Sequence, residues 1–419
     1  MTTRRDVLRG GAAAAASWLW APALLRRAGA ETAAEPPLRG GQILPTPDFA
    51  KLRAGATFAA GVRPHRTGGI NLSRNEIATP GGTKFLIHNY GHSGAGITLS
   101  WGCASVVQDH VGAILADMRK TKARPTVAVL GCGVIGLTVA SELRRKWPTL
   151  PITVYAQTLD VTKTTSFIAG GQFEPSQIYV EYENDPDTLK RYVTLSAKRI
   201  REIMQSGQRL AYGVAVRKNY TLDDADPALD DFTPHDVVPP FTRGTLPFAK
   251  LNDVGREYAT WLMNPKILLP RLVADLRGNG VKFTAKQFTD RQQVEALAQN
   301  IIVNCTGYGS KTLFEDHALH ARRGHLAVLK NPALLTYFFA GGCKNDVIAY
   351  MFARQSDIVV GGTIVPGDER NYFDNSDPAD KAIGKRLLDN IELVFNGHSE
   401  ECLSTSDVAA LAPRLVVNR

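Results

Sequence analysis

Gly131, Gly133 and Gly136 fall in the spacing G-x-G-x-x-G, which serves the binding of a dinucleotide pyrophosphate. In that chemistry the first glycine makes a tight turn, the second brings bare backbone up to the phosphates, and the third lets a helix lie close on the preceding strand. The helix N-terminus, with unpaired N–H groups and the positive end of the helix dipole, then holds the anion. The elements needed to position these glycines stand on either side of them. Thr126–Leu130 is a short apolar run of strand character, Val134–Lys146 continues with helical periodicity, and Ile152–Ala156 follows as a second strand at βαβ distance. The acidic residue expected about 20 positions on, for the ribose hydroxyls, is replaced by Gln157. An amide bonds a hydroxyl without charge assistance, so the replacement weakens a case for NAD more than one for a flavin dinucleotide.

A second glycine-rich stretch, Phe85–Gly102 (FLIHNYGHSGAGITLSWG), comes earlier in the chain. Taken alone, its strand, its Gly91-His92-Ser93-Gly94-Ala95 turn and the helix after it mimic a nucleophile elbow, with Ser93 as a hydrolase nucleophile. Two points count against that: the fifth position is Ala95 instead of glycine, and a hydrolase leaves the Gly131–Gly136 unit without a purpose.

Further motifs make a family resemblance specific. Ile152–Pro175 (ITVYAQTLDVTKTTSFIAGGQFEP), Asn304-Cys305-Thr306-Gly307, Arg323-Gly324-His325, Tyr350–Gly362, Gly61-Val62-Arg63-Pro64-His65-Arg66 and His88–Gly96 together resemble motifs of the D-amino-acid oxidase family. They span most of the chain after residue 60. In that family the dinucleotide unit comes first and the HNYGHxG segment near the end, so the inverted order here implies a circular permutation. Residues from about 60 to 118, closing with an apolar-periodic helix over Ala104–Met118, resemble the family's C-terminal piece; the block from 126 to 419 resembles the rest, and Arg119–Pro125 is a polar connector.

The resemblance implies FAD as cofactor and oxidative deamination of a D-amino acid by hydride transfer to the flavin, with oxygen as acceptor and peroxide as product. Gly131, Gly133, Val134, Ile135, Gly136, Gln157, Thr164, Thr165, Ser166, Gly171, Phe288 and Thr306 are implied to hold the nucleotide, and Ser93, Gly94, Ala95, Gly96, Ile97 and Thr98 to wrap the flavin. Ser93 replaces a glycine of the usual motif. Arg63 and Tyr350 are implied to bind the substrate carboxylate, for which a planar guanidinium is suited, with Arg66 as competitor for the arginine's role. No catalytic acid or base is asked of the protein. A tyrosine that closes the family's pocket corresponds to Asp346, and an acid there disfavours acidic amino acids. Rival readings keep the dinucleotide: an exported dehydrogenase of glycine or another small amine using a different acceptor, or a binding protein in which the nucleotide is structural.

Ahead of the fold, Arg4 and Arg5, an uncharged alanine-rich stretch over Gly10–Leu25 and the small-x-small Ala28-Gly29-Ala30 read as a twin-arginine signal, so the translocase of that route is an expected partner and the protein is expected outside the cytoplasm. Without residues 1–30, which hold five arginines and one aspartate, the formal charge falls from +9 to +5. That dispersed charge lacks the basic and aromatic patch of a nucleic-acid binder. The rest fits a soluble enzyme. The five cysteines show no paired spacing and argue against a disulfide framework, and His317 and His320 lack a third ligand for a metal.

The expected fold is α/β, a Rossmann-like FAD-binding domain with a second, mainly antiparallel-sheet substrate domain, circularly permuted. Segments 31–81, 179–268 and 326–419 are assigned to the substrate domain, and 82–178 and 269–325 to the FAD-binding domain. Within them Lys266–Arg277 reads as a helix, Val281–Thr284 and Ile301–Asn304 as strands, and Asp223–Asp236 as a loop. The assembly state is not legible in the sequence.

Overall fold

A four-residue strand buried at every position, β4 (Val127–Leu130), carries the Gly131 turn and anchors a parallel sheet. The computed structural model describes residues 36–79, 82–120, 122, 124–222, 226–343 and 347–404. The expected signal peptide, Asp346 and the C-terminal run from residue 411 lie outside the described residues. Beside β4 run β5 (Ile152–Ala156) and then β9 (Lys282–Ala285) on one side, and β10 (Ile301–Asn304) and then β3 (Gly82–His88) on the other, all parallel. An antiparallel edge strand, β2 (Arg74–Thr79), completes the six-stranded order β2-β3-β10-β4-β5-β9. Continuous apolar runs such as Val127–Leu130 and Ile301–Asn304 belong in such a sheet because both of its faces are buried.

The helices that matter for the site are α1 (Gly96–Lys120), α2 (Val134–Lys146), α3 (Pro186–Gln205), α4 (Pro265–Gly278) and α5 (Pro378–Phe395). Helix α1 packs between α2 and α3. It starts eight residues before the expected Ala104, directly out of the glycine turn, because Leu99 N–H already donates to Ala95 O (3.0 Å). Ile97 through Ala104 are all buried, so the one-sided apolar period by which a helix is recognised is missing there. Asn264 caps α4, its side chain accepting from Lys266 N–H (3.1 Å), with Pro265 at the first helical position. Within the expected loop 223–236, Pro227–Asp230 forms one helical turn capped by Asp226.

The second sheet has nine strands. β1 (Thr57–Arg66), β11 (Leu319–Lys330), β14 (Asp357–Gly361), β13 (Tyr350–Ala353), β12 (Tyr337–Ala340), β6 (Val214–Thr221), β8 (Val254–Met263) and β7 (Thr242–Thr245) lie side by side in that order, and β15 (Val365–Pro366) adds to β11. All pairs are antiparallel except β12 with β6. The described residues belong to a single compact unit, so the two sheets are not separable bodies. Two expected boundaries shift accordingly: β2, inside the segment 31–81, pairs in the parallel sheet, and β11 continues through residue 325 without a break.

Period-two alternation divides the second sheet into two faces. One is covered by α5, which is clamped through Arg323: its guanidinium meets Asp380 on α5 with two bonds of 2.6 and 2.7 Å, both side chains wholly buried. Burial alone raises the Asp380 carboxyl, but the bonds from Arg323 and from the Asp374 N–H outweigh it and hold it at about 2. The clamp is therefore ionised above the ordinary carboxylate range and is lost only as pH falls toward 2.

One cysteine expectation is overturned. Cys343, between β12 and β13, is bonded to Cys402 beyond α5, with Cα atoms 5.9 Å apart and a sequence separation of 59. The pairing joins distant parts of the chain, which spacing cannot reveal. Cys103, Cys132 and Cys305 are free and buried.

Candidate functional site

The nucleotide end is built by turns at the carboxyl edge of the parallel sheet. Gly131 has φ +105°, and a Cβ there would lie 2.5 Å from Cys305 O at the end of β10. A Cβ on Gly136 would collide with Gly131 O, so the first turn of α2 sits directly on the loop. Gly133 caps α2 with no side chain, and Val134 N–H donates to Ser166 Oγ (3.1 Å). Ser166 is thus the member of the Thr-Thr-Ser triplet brought to this turn. The Thr164 hydroxyl donates to Val161 O (2.7 Å) and the Thr165 hydroxyl to Asn371 Oδ1 (2.7 Å), so both are engaged locally. Thr306 lies against Gly131, its hydroxyl and N–H both bonded to Asn304 Oδ1 (2.8 and 3.1 Å). Gln157 is exposed at the end of β5, and Phe288 packs edge-on against Tyr155 with ring centroids 6.0 Å apart. Gly171 closes on Met263 and Pro265, a packing role.

The second glycine stretch meets the first. A Cβ on Gly96, the first residue of α1, would stand 3.8 Å from both Val134 Cγ1 and Ile135 Cδ1, the opening residues of α2. Two helix N-termini thus converge, and their unpaired N–H groups and dipoles make one electropositive pole. Ala95, Ile97 and Thr98 are buried at the start of α1; Thr98 Oγ1 donates to Glu174 O (2.9 Å) and ties the helix to the 172–174 segment. Among the described residues, both side-chain amide atoms of Asn89 and Nε2 of His92 are buried without a partner. Orphaned groups of this kind in a binding loop fit a polar ligand that supplies the missing bonds. The cradle, the paired helix ends and these atoms all fit a dinucleotide with a polar ring.

The remaining wall belongs to the open face of the second sheet. By register, Arg63, Arg322, Gly324 and Leu326 share that face with Gly361 and Tyr350. The Arg63 side chain crosses over Gly324, where any Cβ would strike its guanidinium, and its Cδ would be 2.9 Å from a Cβ on Gly94. Its Nη1 donates to Thr363 O (2.9 Å). The Tyr350 ring lies on Gly361 and stacks on Phe352 at 4.7 Å. Burial raises the Tyr350 phenol, while the charge of Arg63 and its hydrogen bond pull the other way. Arg63 therefore bridges the glycine loop and Tyr350. Arg66 is bound to Asp316 (2.8 Å), which also accepts from the Tyr90 hydroxyl (2.7 Å), and so serves as a loop brace.

Residues that the sequence did not single out also reach the loop. Ser93 Oγ lies 2.8 Å from His65 Nδ1, and His65 Nε2 lies 3.1 Å from Glu181 Oε1. The order serine, histidine, carboxylate is that of a hydrolase, yet Ser93 is 0% exposed and its N–H donates to Pro64 O (3.0 Å). Neither substrate access nor an oxyanion donor is offered at this serine. Burial pushes His65 down to about 4 and His92 to about 3, so both rings are neutral at ordinary pH.

Comparison with known proteins identifies the family. Residues 126–409 match the model of a family described as FAD dependent oxidoreductase. The chain is 28% identical over 255 residues to a D-amino-acid oxidase of Streptomyces coelicolor, covering 57% of this chain and 69% of that protein. It is 24% identical over 253 residues to a human D-aspartate oxidase, covering 58% and 69%. A D-amino-acid oxidase of Fusarium vanettenii is 27% identical over 315 residues, covering 67% and 81%. Among solved structures, a glycine oxidase from Geobacillus kaustophilus superposes with a TM-score of 0.45 at 16% identity, covering 64% of this chain and 78% of that one. The chain belongs to the FAD-dependent oxidoreductase family, and FAD is its cofactor.

Replacing Gly133 by leucine puts a branched side chain against Ser166 at the Gly131–Gly136 turn. The variant is expected to fold, with unchanged far-ultraviolet circular dichroism, and to purify colourless; stoichiometric flavin in its absorption spectrum refutes the assignment of this loop.

Proposed function

We propose that this FAD-dependent oxidoreductase oxidises the α-carbon of a D-amino acid to an imine, which water converts to a 2-oxo acid and ammonia, while oxygen is reduced to hydrogen peroxide. The observation that carries the reading is the place of Arg63, which lies against Gly94 of the flavin loop and hydrogen-bonds the Tyr350 side chain. A carboxylate held there has its α-carbon beside the loop that wraps the flavin. Bound FAD supplies the hydride acceptor. Thr363 O fixes one edge of the Arg63 fork and orients the rest toward a carboxylate, and Tyr350, kept protonated by burial, donates to it as well. The buried, neutral His65 and His92 are not poised to take a proton near pH 7. An amine that arrives neutral needs no such base. The names of the relatives, D-amino-acid oxidase and D-aspartate oxidase, support the stereochemistry and the use of oxygen. Asp346, at the position of the family's second pocket tyrosine, supports a neutral or basic side chain.

We also infer a circular permutation and export. The family match begins at residue 126, past the connector, and leaves residues 60–118, with the HNYGHSG loop, outside it. A chain reordered to begin at Thr126 and to carry residues 36–120 after residue 404 is expected to retain FAD; loss of flavin from a folded product of this kind counts against the permutation. Export is supported by Arg4 and Arg5 and by the Cys343–Cys402 bond, since disulfides persist in oxidising compartments. Changing both arginines to lysine is expected to hold the protein in the cytoplasm, where thiol titration of the denatured chain finds five thiols, against three in the exported form. Equal distribution of the two forms on cell fractionation sinks the export reading.

Without air, one enantiomer of a neutral or basic amino acid is expected to bleach the flavin of the leaderless protein, and admitting oxygen to restore the colour with formation of peroxide. Arg63→Ala removes two charge-assisted bonds of about 1.5–3 kcal/mol each, so KM is expected to rise by about 100-fold or more with FAD still bound. Ordinary KM values in that variant remove Arg63 from the substrate site.

A further inference from the structure

Strand β1 meets the flavin loop with two side chains. Arg63 and His65 are two residues apart and so share a face of the strand, and they touch consecutive loop residues, Gly94 and Ser93. Ser93 stands where the resembling motif has glycine, and it adopts φ +52°, a left-handed conformation that a serine does not take without support. The support is a continuous chain of bonds. Ser93 Oγ meets His65 Nδ1 at 2.8 Å, His65 Nε2 meets Glu181 Oε1 at 3.1 Å, and Glu181 Oε2 accepts from Gly68 N–H at 2.8 Å. The serine and histidine side chains are buried.

The chain has one polarity. An ionised Glu181 only accepts, so His65 carries its proton on Nε2, which leaves Nδ1 bare to accept from the Ser93 hydroxyl. The charged and titratable groups around it come from both strands: Arg63 on β1, and Arg322 and His320 on β11, the latter ring 6.4 Å from that of His65. The tautomer is set by geometry, and with it the direction in which the serine hydroxyl points.

We propose that Ser93, His65 and Glu181 form a positioning relay that fixes the Ser93–Gly94 turn against the Arg63 side chain, and so sets the spacing between the flavin and the carboxylate anchor. The three are positioning residues, since none reaches the reacting atoms. The proposal rests on the reading of Arg63 as that anchor. A relay of this kind acts on alignment, where an error of about 1 Å costs on the order of 100-fold in rate, and leaves binding of the carboxylate to Arg63.

The test measures anaerobic flavin reduction by stopped flow in the FAD-loaded protein. Ser93→Gly, which suits the positive φ, and Glu181→Gln are each expected to slow reduction by roughly 10- to 100-fold while the substrate Kd changes by less than about 3-fold, the reverse of Arg63→Ala. The double variant is expected to be no slower than either single one, because both cut the same chain. His65→Gln, whose amide can accept from Ser93 and donate to Glu181, is expected to recover most of the rate that His65→Leu loses. Wild-type rates in the single variants, multiplying losses in the double, or no difference between His65→Gln and His65→Leu overturn the relay. If no amino acid reduces the wild-type flavin, the reading of Arg63 fails, and the relay stands or falls on the flavin's visible spectrum: one shared shift in Ser93→Gly and Glu181→Gln sustains it, and unshifted or unrelated spectra refute it.

Discussion

The fold is organised around a single close approach, that of two bare-backbone turns. Gly96 at the head of α1 faces Val134 and Ile135 at the head of α2, so closely that a Cβ on Gly96 would already be in van der Waals contact with both. Parallel pairing makes this meeting possible, because β3, β10, β4 and β5 all point the same way and deliver their carboxyl ends to one edge. Each turn there contributes something different. Gly131 supplies the sharp reversal, Asn304 locks the Thr306 turn beside it, and the segment after β3 brings the loop that faces the second sheet.

The second sheet answers with alternation. In β11, Arg322 and Arg323 are neighbours in sequence and point to opposite faces: the first lies across from Arg63 on the site side, and the second clamps α5 on the far side. A single strand thus anchors the sheet to its covering helix and floors the candidate site. Gly324 and Gly361 make that floor flat, and on it the Arg63 guanidinium and the Tyr350 ring lie side by side. Polar demand on this wall is met locally: Thr363 O takes one Arg63 proton, and Asn371 Oδ1 takes the Val62 N–H.

Much of this was legible where local pattern and local structure coincide. Val134–Lys146, Ile152–Ala156 and Ile301–Asn304 are residue for residue the elements expected, since turn glycines and buried apolar runs mark their ends. The start of α1 was hidden because a helix buried all round has no polar face. Partnerships between distant residues were hidden too. Cys343 and Cys402, or His65 and Glu181, are neighbours in the fold and far apart in sequence. Likewise, the Thr-Thr-Ser triplet reads as one ligand set, yet only folding reveals that Asn371 claims the hydroxyl of Thr165 while Ser166 turns to α2.

The pairing of β1 with β11, from Thr57↔Val328 to Arg66↔Leu319, has a consequence for the nascent chain. β1 has no neighbouring strand until β11 has been made, whereas β3 pairs at once with β2 and waits for β10 only on its other side. Long loops must therefore close before the β1–β11 and β3–β10 contacts reward the closure. Closure of the second sheet is thus a late event, reached only when β11 returns to β1.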